Sequence, residues 1–185
     1  GCSKLDFILG RVSQWLRDLL RIRPADGLQG RIIKRALRSE VDLVELAVRS
    51  MPLRMDGFGA THSGRVRPIN EDRFLCSAGH GVFAVADGMG GHAHGDIASA
   101  GIIQTIDEGI SALPMQERVE ALLQSFLQAN DIIRDISAAN GNITIGSTAA
   151  GLIISANSFS VLWTGDSRVY LMREGRIKQL TIDHT

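Results

Sequence analysis

Residues 148–180 read TAAGLIISANSFSVLWTGDSRVYLMREGRIKQL. Apolar and β-branched residues crowd into runs around 148–155, 158–164 and 167–173, and a fourth lies near 176–181. Asn157, Gly165 and the pair Glu174-Gly175 punctuate them, and these residue types favour tight turns. Gaps this short leave no room for a crossover helix. The stretch therefore predicts consecutive antiparallel strands joined by hairpins.

Working backward, Asn140-Gly141-Asn142 marks a loop. Before it, Val119, Leu122, Leu123, Phe126, Ile133 and Ile136 recur at helical spacing and predict a helix over about 115–138. Residues 97–103, Ile-Ala-Ser-Ala-Gly-Ile-Ile, predict an earlier helix whose small side chains suit close packing. Short β-rich runs at 57–62, 73–77 and 82–86 precede it. Strands, then two helices, then hairpin-linked strands is not the βαβ alternation of a parallel sheet. The order predicts an α+β fold, with antiparallel sheet and segregated helices.

Residues 1–54 have a different texture. Leu5, Ile8, Leu9, Val12, Leu16, Leu19 and Leu20 follow helical spacing up to Pro24 and Gly27. Ile32, Ile33, Ala36, Leu37, Val44, Ala47, Val48 and Met51 do so again before Pro52. Two amphipathic helices outside the rest of the fold are expected. A hairpin that packs on itself or on a partner is the favoured reading, and contact of Trp15 and the arginines with a membrane surface is the alternative. The front is also basic. Residues 1–38 carry nine Lys/Arg against three Asp/Glu, and the rest of the chain eleven against seventeen. An acidic body without a basic stripe argues against nucleic acid as a ligand and suits divalent cations. Cys2 and Cys76 stand far apart with no CxxC spacing, so neither a zinc site nor a disulfide framework is signalled. A reducing, cytoplasmic setting is the expectation. No run of 18 apolar residues occurs, so no spanning helix is expected. Gly1-Cys2 without an initiator Met reads as a fragment boundary rather than an acylation site, because Leu5 fills the downstream Ser/Thr position.

Three acidic clusters sit at strand ends or turns: Asn70-Glu71-Asp72, Asp87-Gly88-Met89-Gly90-Gly91-His92 and Gly165-Asp166-Ser167-Arg168. A single Asp in such a place is usually a turn former or a helix cap. Asp87 asks for more. It ends the apolar run Val82–Ala86, and the glycines after it let backbone approach a ligand. Oxygen donors without a cysteine cluster favour hard cations, magnesium or manganese.

Taken together, these motifs resemble those of the PPM family, the metal-dependent type 2C Ser/Thr protein phosphatases. Residues 61–72, Thr-His-Ser-Gly-Arg-Val-Arg-Pro-Ile-Asn-Glu-Asp, are similar to its first signature, and Asp87–His92 to the bacterial form of its second. Gly146-Ser147-Thr148-Ala149, Gly165–Tyr170 and Gln179–Thr185 follow in the family's order, so the resemblance covers about 56–185. It implies an antiparallel β-sandwich in α-β-β-α layers and a site holding two, or three, Mn2+ or Mg2+ ions. By the same resemblance Asp87 bridges two ions and the Gly88 carbonyl binds one. Asp72 holds coordinated waters with Glu71 close by, and Asp166 helps to bind a third ion. Arg67 binds the substrate phosphate, for which a planar guanidinium is well shaped. His92 is either a general acid or a loop-orienting residue, and the residues leave both readings open. Gly146–Thr148 shape a strand end, His62 and His94 are surface or structural residues, and Cys76 is a strand residue. Ser63 and Ser167 are not nucleophiles on this reading.

The implied reaction is hydrolysis of phosphoserine and phosphothreonine in proteins by a metal-activated water. The implied partners are phosphorylated proteins and a cognate Ser/Thr kinase. A phosphoprotein-binding pseudophosphatase and an enzyme for small phosphorylated molecules are the alternatives. The family's pattern continues past the Gln179–Thr185 segment with two more metal-binding aspartates. The expectation is therefore the N-terminal portion of a catalytic domain, incomplete and inactive by itself.

Overall fold

The computed structural model describes residues 5–10, 32–38, 41–47, 55–90, 94–110, 113–155 and 158–184, the first three stretches as backbone only. Among these residues nine strands and two α-helices follow in chain order: β1 (Leu5–Gly10), β2 (Ile32–Arg38), β3 (Val41–Ala47), β4 (Asp72–Ser77), β5 (Val82–Met89), α1 (His94–Ile110), α2 (Arg118–Ala139), β6 (Gly146–Ile154), β7 (Ser158–Thr164), β8 (Arg168–Arg173) and β9 (Arg176–Gln179). One sheet runs β2-β3-β7-β6-β5-β4 and the other β1-β8-β9, and every pairing is antiparallel. The expected strand and helix order from Asp72 onward is met. Glu174 (φ 53°) and Gly175 (φ 73°) make the two-residue turn between β8 and β9, where Arg173 faces Arg176. Positive φ at both central residues matches the twist of the flanking strands.

Strand alternation sorts the core into two halves. Val82, Ala84 and Ala86 of β5 face the helices, with Ala98, Ile102 and Ile106 of α1 and Leu122 and Phe126 of α2. The small residues of 97–103 do what their size suggested: Ala98 and Ser99 are fully buried and bring α1 close to the sheet. Gly151 on β6 serves α2 in the same way, since a Cβ there would meet the Leu122 side chain at 2.8 Å. Phe83 and Val85 face the other way, toward Leu152, Phe159, Val161 and Trp163 of the large sheet and Val169 of β8. Helices, large sheet and small sheet thus form three of the four expected layers. A second helical layer is not seen among the described residues.

Two expectations need correction. Residues 57–62 form no strand. A Cβ on Gly57 would meet Cys76 Sγ and the Phe83 ring at 2.7 Å, and one on Gly59 would meet the Phe74 ring at 2.1 Å. This segment lies flat on aromatic side chains, and its glycines serve that approach rather than a ladder. The second correction concerns the helical extension. At Leu5–Gly10, Ile32–Arg38 and Val41–Ala47 the chain is strand, not helix. β3 pairs along the whole of β7, from Asp42 opposite Trp163 to Ala47 opposite Ser158, and β1 pairs along β8. The bare edges of β7 and β8 would leave rows of backbone N–H and C=O groups unmatched, and pairing satisfies them. That gain outweighs a weak local preference. The rest of 1–54, Trp15 included, lies outside the described residues. Among those described, no helix is long and apolar enough to cross a membrane.

Candidate metal centre

The register of β4 against β5 sets Asp72 directly opposite Asp87. Both share a face with the pairs Phe74–Val85 and Cys76–Phe83 and so lie on the inter-sheet side, at the end where the ladder stops. Like charges directly opposed on a sheet repel, and an oxygen-binding cation between them removes the penalty. The loop before β4 is held in place. Asn70 Oδ1 accepts from the Asp72 N–H at 3.0 Å, Asn70 Nδ2 donates to Thr61 Oγ1 at 2.9 Å, and Arg73 Nη1 donates to the carbonyls of Asn70 and Asp72.

The row continues across the sheet. Thr148 on β6 faces Asp87, and its hydroxyl lies 2.6 Å from that of Ser167, which is buried between the sheets. Ser167 follows the turn at Gly165-Asp166. This link brings Asp166 to the same end of the sandwich as the Asp72–Asp87 pair. Gly165 has φ +84°, and a Cβ there would meet Thr148 at 2.7 Å, so both its conformation and its surroundings demand glycine. From the far side, His184 donates its N–H to the Gly165 carbonyl at 3.0 Å and accepts the Gly165 N–H on Nδ1 at 3.3 Å. Arg168 grips Asp183 with two nitrogens, Nε to Oδ1 at 2.7 Å and Nη2 to Oδ2, and Nη1 reaches the Tyr170 hydroxyl. The hydrogen bond to Asp183, aided by the one to Tyr170, holds the Arg168 guanidinium above its ordinary pKa range. Trp163, fully buried, donates its indole N–H to the Ile182 carbonyl at 2.8 Å.

Glu71 is placed apart from the opposed aspartates. Its carbonyl accepts from the Gly88 N–H at 3.1 Å, while its side chain turns to the start of α1. A Cβ on Gly95 would lie 2.4 Å from Glu71 Oε1, and one on Gly88 would lie 1.9 Å from the Gly95 carbonyl oxygen. Both positions therefore need glycine for the helix to reach the strand end. Glu71 Oε2 also pairs with Arg67 Nη1 at 3.2 Å, the arginine side chain remaining 65% exposed. Nearby in the first turn of α1, Asp96 has a buried Oδ1 without a hydrogen-bond partner. Sequence reasoning missed Asp96, and its signal was an acid two residues into a helix. It also gave no role to Asp183 or His184, whose signal lay in the Gln179–Thr185 motif. His92 lies outside the described residues. His62 accepts the Gly64 N–H on Nδ1 at 2.8 Å, and Cys76 is a free thiol on β4.

The donors fit magnesium or manganese in kind: opposed carboxylates, a neighbouring backbone carbonyl at Gly88 and an unpaired buried carboxylate oxygen. They do not close a full set, because among the described residues no three Asp, Glu, His or Cys side chains gather at one point.

The site is thus an acidic pair at the strand ends of an antiparallel sandwich covered by helices on one side. The profile of the protein phosphatase 2C family matches residues 59–185, and the chain belongs to that family. A serine/threonine phosphatase stp from Listeria monocytogenes serotype 4b is 33% identical over 133 residues, 68% of this chain and 53% of that protein. The serine/threonine protein phosphatase PstP of Mycobacterium tuberculosis is 32% identical over 125 residues, 66% of this chain and 24% of that protein. Among solved structures, PppA, described as a key regulatory component of T6SS in Pseudomonas aeruginosa, superposes with a TM-score of 0.64 at 32% identity, over 80% of this chain and 59% of that one. The PstP catalytic domain in complex with two manganese ions gives 0.63 at 29% identity, over 71% and 56%. The chain thus spans about half the length of the first relatives it matches.

Proposed function

We propose that the whole protein hydrolyses phosphoserine and phosphothreonine in proteins, with two Mn2+ or Mg2+ ions and a third near Asp166. The cross-strand opposition of Asp72 and Asp87 carries this reading, supported by relatives named serine/threonine phosphatases. Divalent cations, when bound, offset the phosphate's charge and lower the pKa of a coordinated water toward neutrality. The chain's own residues do the positioning. Asp87 would hold both ions, and Asp72 would hold the waters bound to them from the facing strand. The Gly88 carbonyl adds a donor where no side chain fits. Glu71 stands close by on the α1 side and holds Arg67, and Asp166 would serve the third ion. Arg67, largely exposed, exchanges Glu71 for two oxygens of the incoming phosphate and orients it. His92 gives a proton to the departing alkoxide. Phosphorylated proteins are the substrates, and a cognate Ser/Thr kinase is the partner that makes them.

The test is turnover of a phosphothreonine peptide by the whole protein. Activity should need manganese or magnesium and vanish in Asp87→Asn. Equal turnover in excess chelator, or a near-native rate in Asp87→Asn, refutes the reading.

A further inference from the structure

We infer that His184 is a positioning residue for Asp166, acting through the backbone of Gly165. The inference rests on the phosphatase reading above, which gives Asp166 its ion. Gly165 is the last residue before Asp166 and lies beyond the end of β7. It therefore has no ladder partner for its amide and carbonyl. Both groups end on His184, the carbonyl on the backbone N–H and the amide on Nδ1. One residue thus fixes both polar groups of the peptide units that aim Asp166. Accepting at Nδ1 requires the imidazole to be unprotonated there.

His184 is itself held from both sides. Asp183, its neighbour, is gripped by the Arg168 fork, and a fork with two contacts fixes direction as well as distance. Ile182 is tied to the Trp163 indole, and Thr181, buried, accepts the Val169 N–H on Oγ1 at 3.3 Å. The segment 181–184 is a strap pinned at each residue. On the opposite side the turn is pinned by the Thr148–Ser167 hydroxyl pair, so Asp166 is clamped between the strap and β6. A carboxylate that must meet an ion without reorganising benefits from such support, and loss of outer partners typically weakens metal binding by about 10–100-fold.

Asparagine places Oδ1 where histidine places Nδ1, so His184→Asn keeps the acceptor and His184→Ala removes it. The experiment measures manganese binding to the whole protein by calorimetry and hydrogen exchange at the Gly165 amide, with Asp166→Ala as reference. His184→Ala should speed exchange at Gly165 and weaken the manganese step that Asp166→Ala abolishes by roughly tenfold or more. His184→Asn should restore both. Wild-type affinity in a folded His184→Ala, or failure of a folded His184→Asn to restore binding, overturns the positioning role while leaving the phosphatase reading intact. If the wild-type protein binds no manganese at all, the phosphatase reading falls and the positioning role falls with it.

Discussion

Asp72→Asn should have opposite effects on stability with and without metal. Without metal, Asp72 and Asp87 face each other across the ladder as like charges. Such pairs cost roughly 0.2–1 kcal/mol, and the exposure of Asp72 puts this one at the lower end. Asparagine removes one charge at nearly constant shape. The Asp72 backbone bonds to Asn70 and Arg73 do not involve its carboxylate and survive. In chelator and low salt the variant should therefore melt about 0.5–1 °C higher, since about 1 kcal/mol moves a domain of this size by roughly 2–4 °C. The gain should shrink as salt screens the pair. With manganese the order should reverse. At a concentration 100 times the dissociation constant, a ligand that binds only the folded state stabilises by about 2.7 kcal/mol. A variant lacking one carboxylate of the opposed pair should forfeit most of that. Thermal melts of both proteins, in chelator and across a manganese series at two salt concentrations, read all three effects. A variant less stable than wild type in chelator, or one that gains as much from manganese as wild type does, would refute the argument that the opposed pair is a cation site.

Two substitutions probe the surrounding residues. Arg67→Ala should raise KM for a phosphopeptide with little change in kcat, because it removes binding common to ground and transition states, and its exposure keeps the stability change within about 0.5 kcal/mol; an unchanged KM removes Arg67 from phosphate binding. Gly88→Ala should destabilise by about 2 kcal/mol or more, since the new methyl meets the Gly95 backbone oxygen and no rotamer can relieve it; a neutral result by denaturant titration would mean that α1 shifts freely from the strand end.

Some of the site was legible before folding because its signals are local. Asp87 at the end of Val82–Ala86, followed by glycines, announces a strand end open to a ligand. Other parts were not legible. Glu71 and Asp72 are adjacent, and sequence alone treats them as one acidic cluster. Alternation along the chain sends them to opposite sides, Asp72 to Asp87 and Glu71 to Arg67 and α1. Asp183 and His184 carried no role of their own, because their partners Arg168 and Gly165 lie 15 and 19 residues earlier in the chain.

By itself the sequence determined what short-range physics can determine. Turn residues at 165 and 174–175 set the hairpins around them, the small residues of 97–103 admitted close helix packing, and the run of motifs pointed to the family. Tertiary structure decided what depends on distant backbone. Leu5–Gly10, Ile32–Arg38 and Val41–Ala47 have apolar spacing compatible with helices, yet the first and third become strands on the edges that β8 and β7 offer, and Ile32–Arg38 pairs in turn on Val41–Ala47. Residues 57–62 have strand-like composition, yet they lie on the Phe74 and Phe83 rings instead. Apolar spacing says which residues seek burial. Which edge is free, and which face a register presents, is settled only when the sheets assemble, because each backbone hydrogen bond needs a partner that the local chain does not contain.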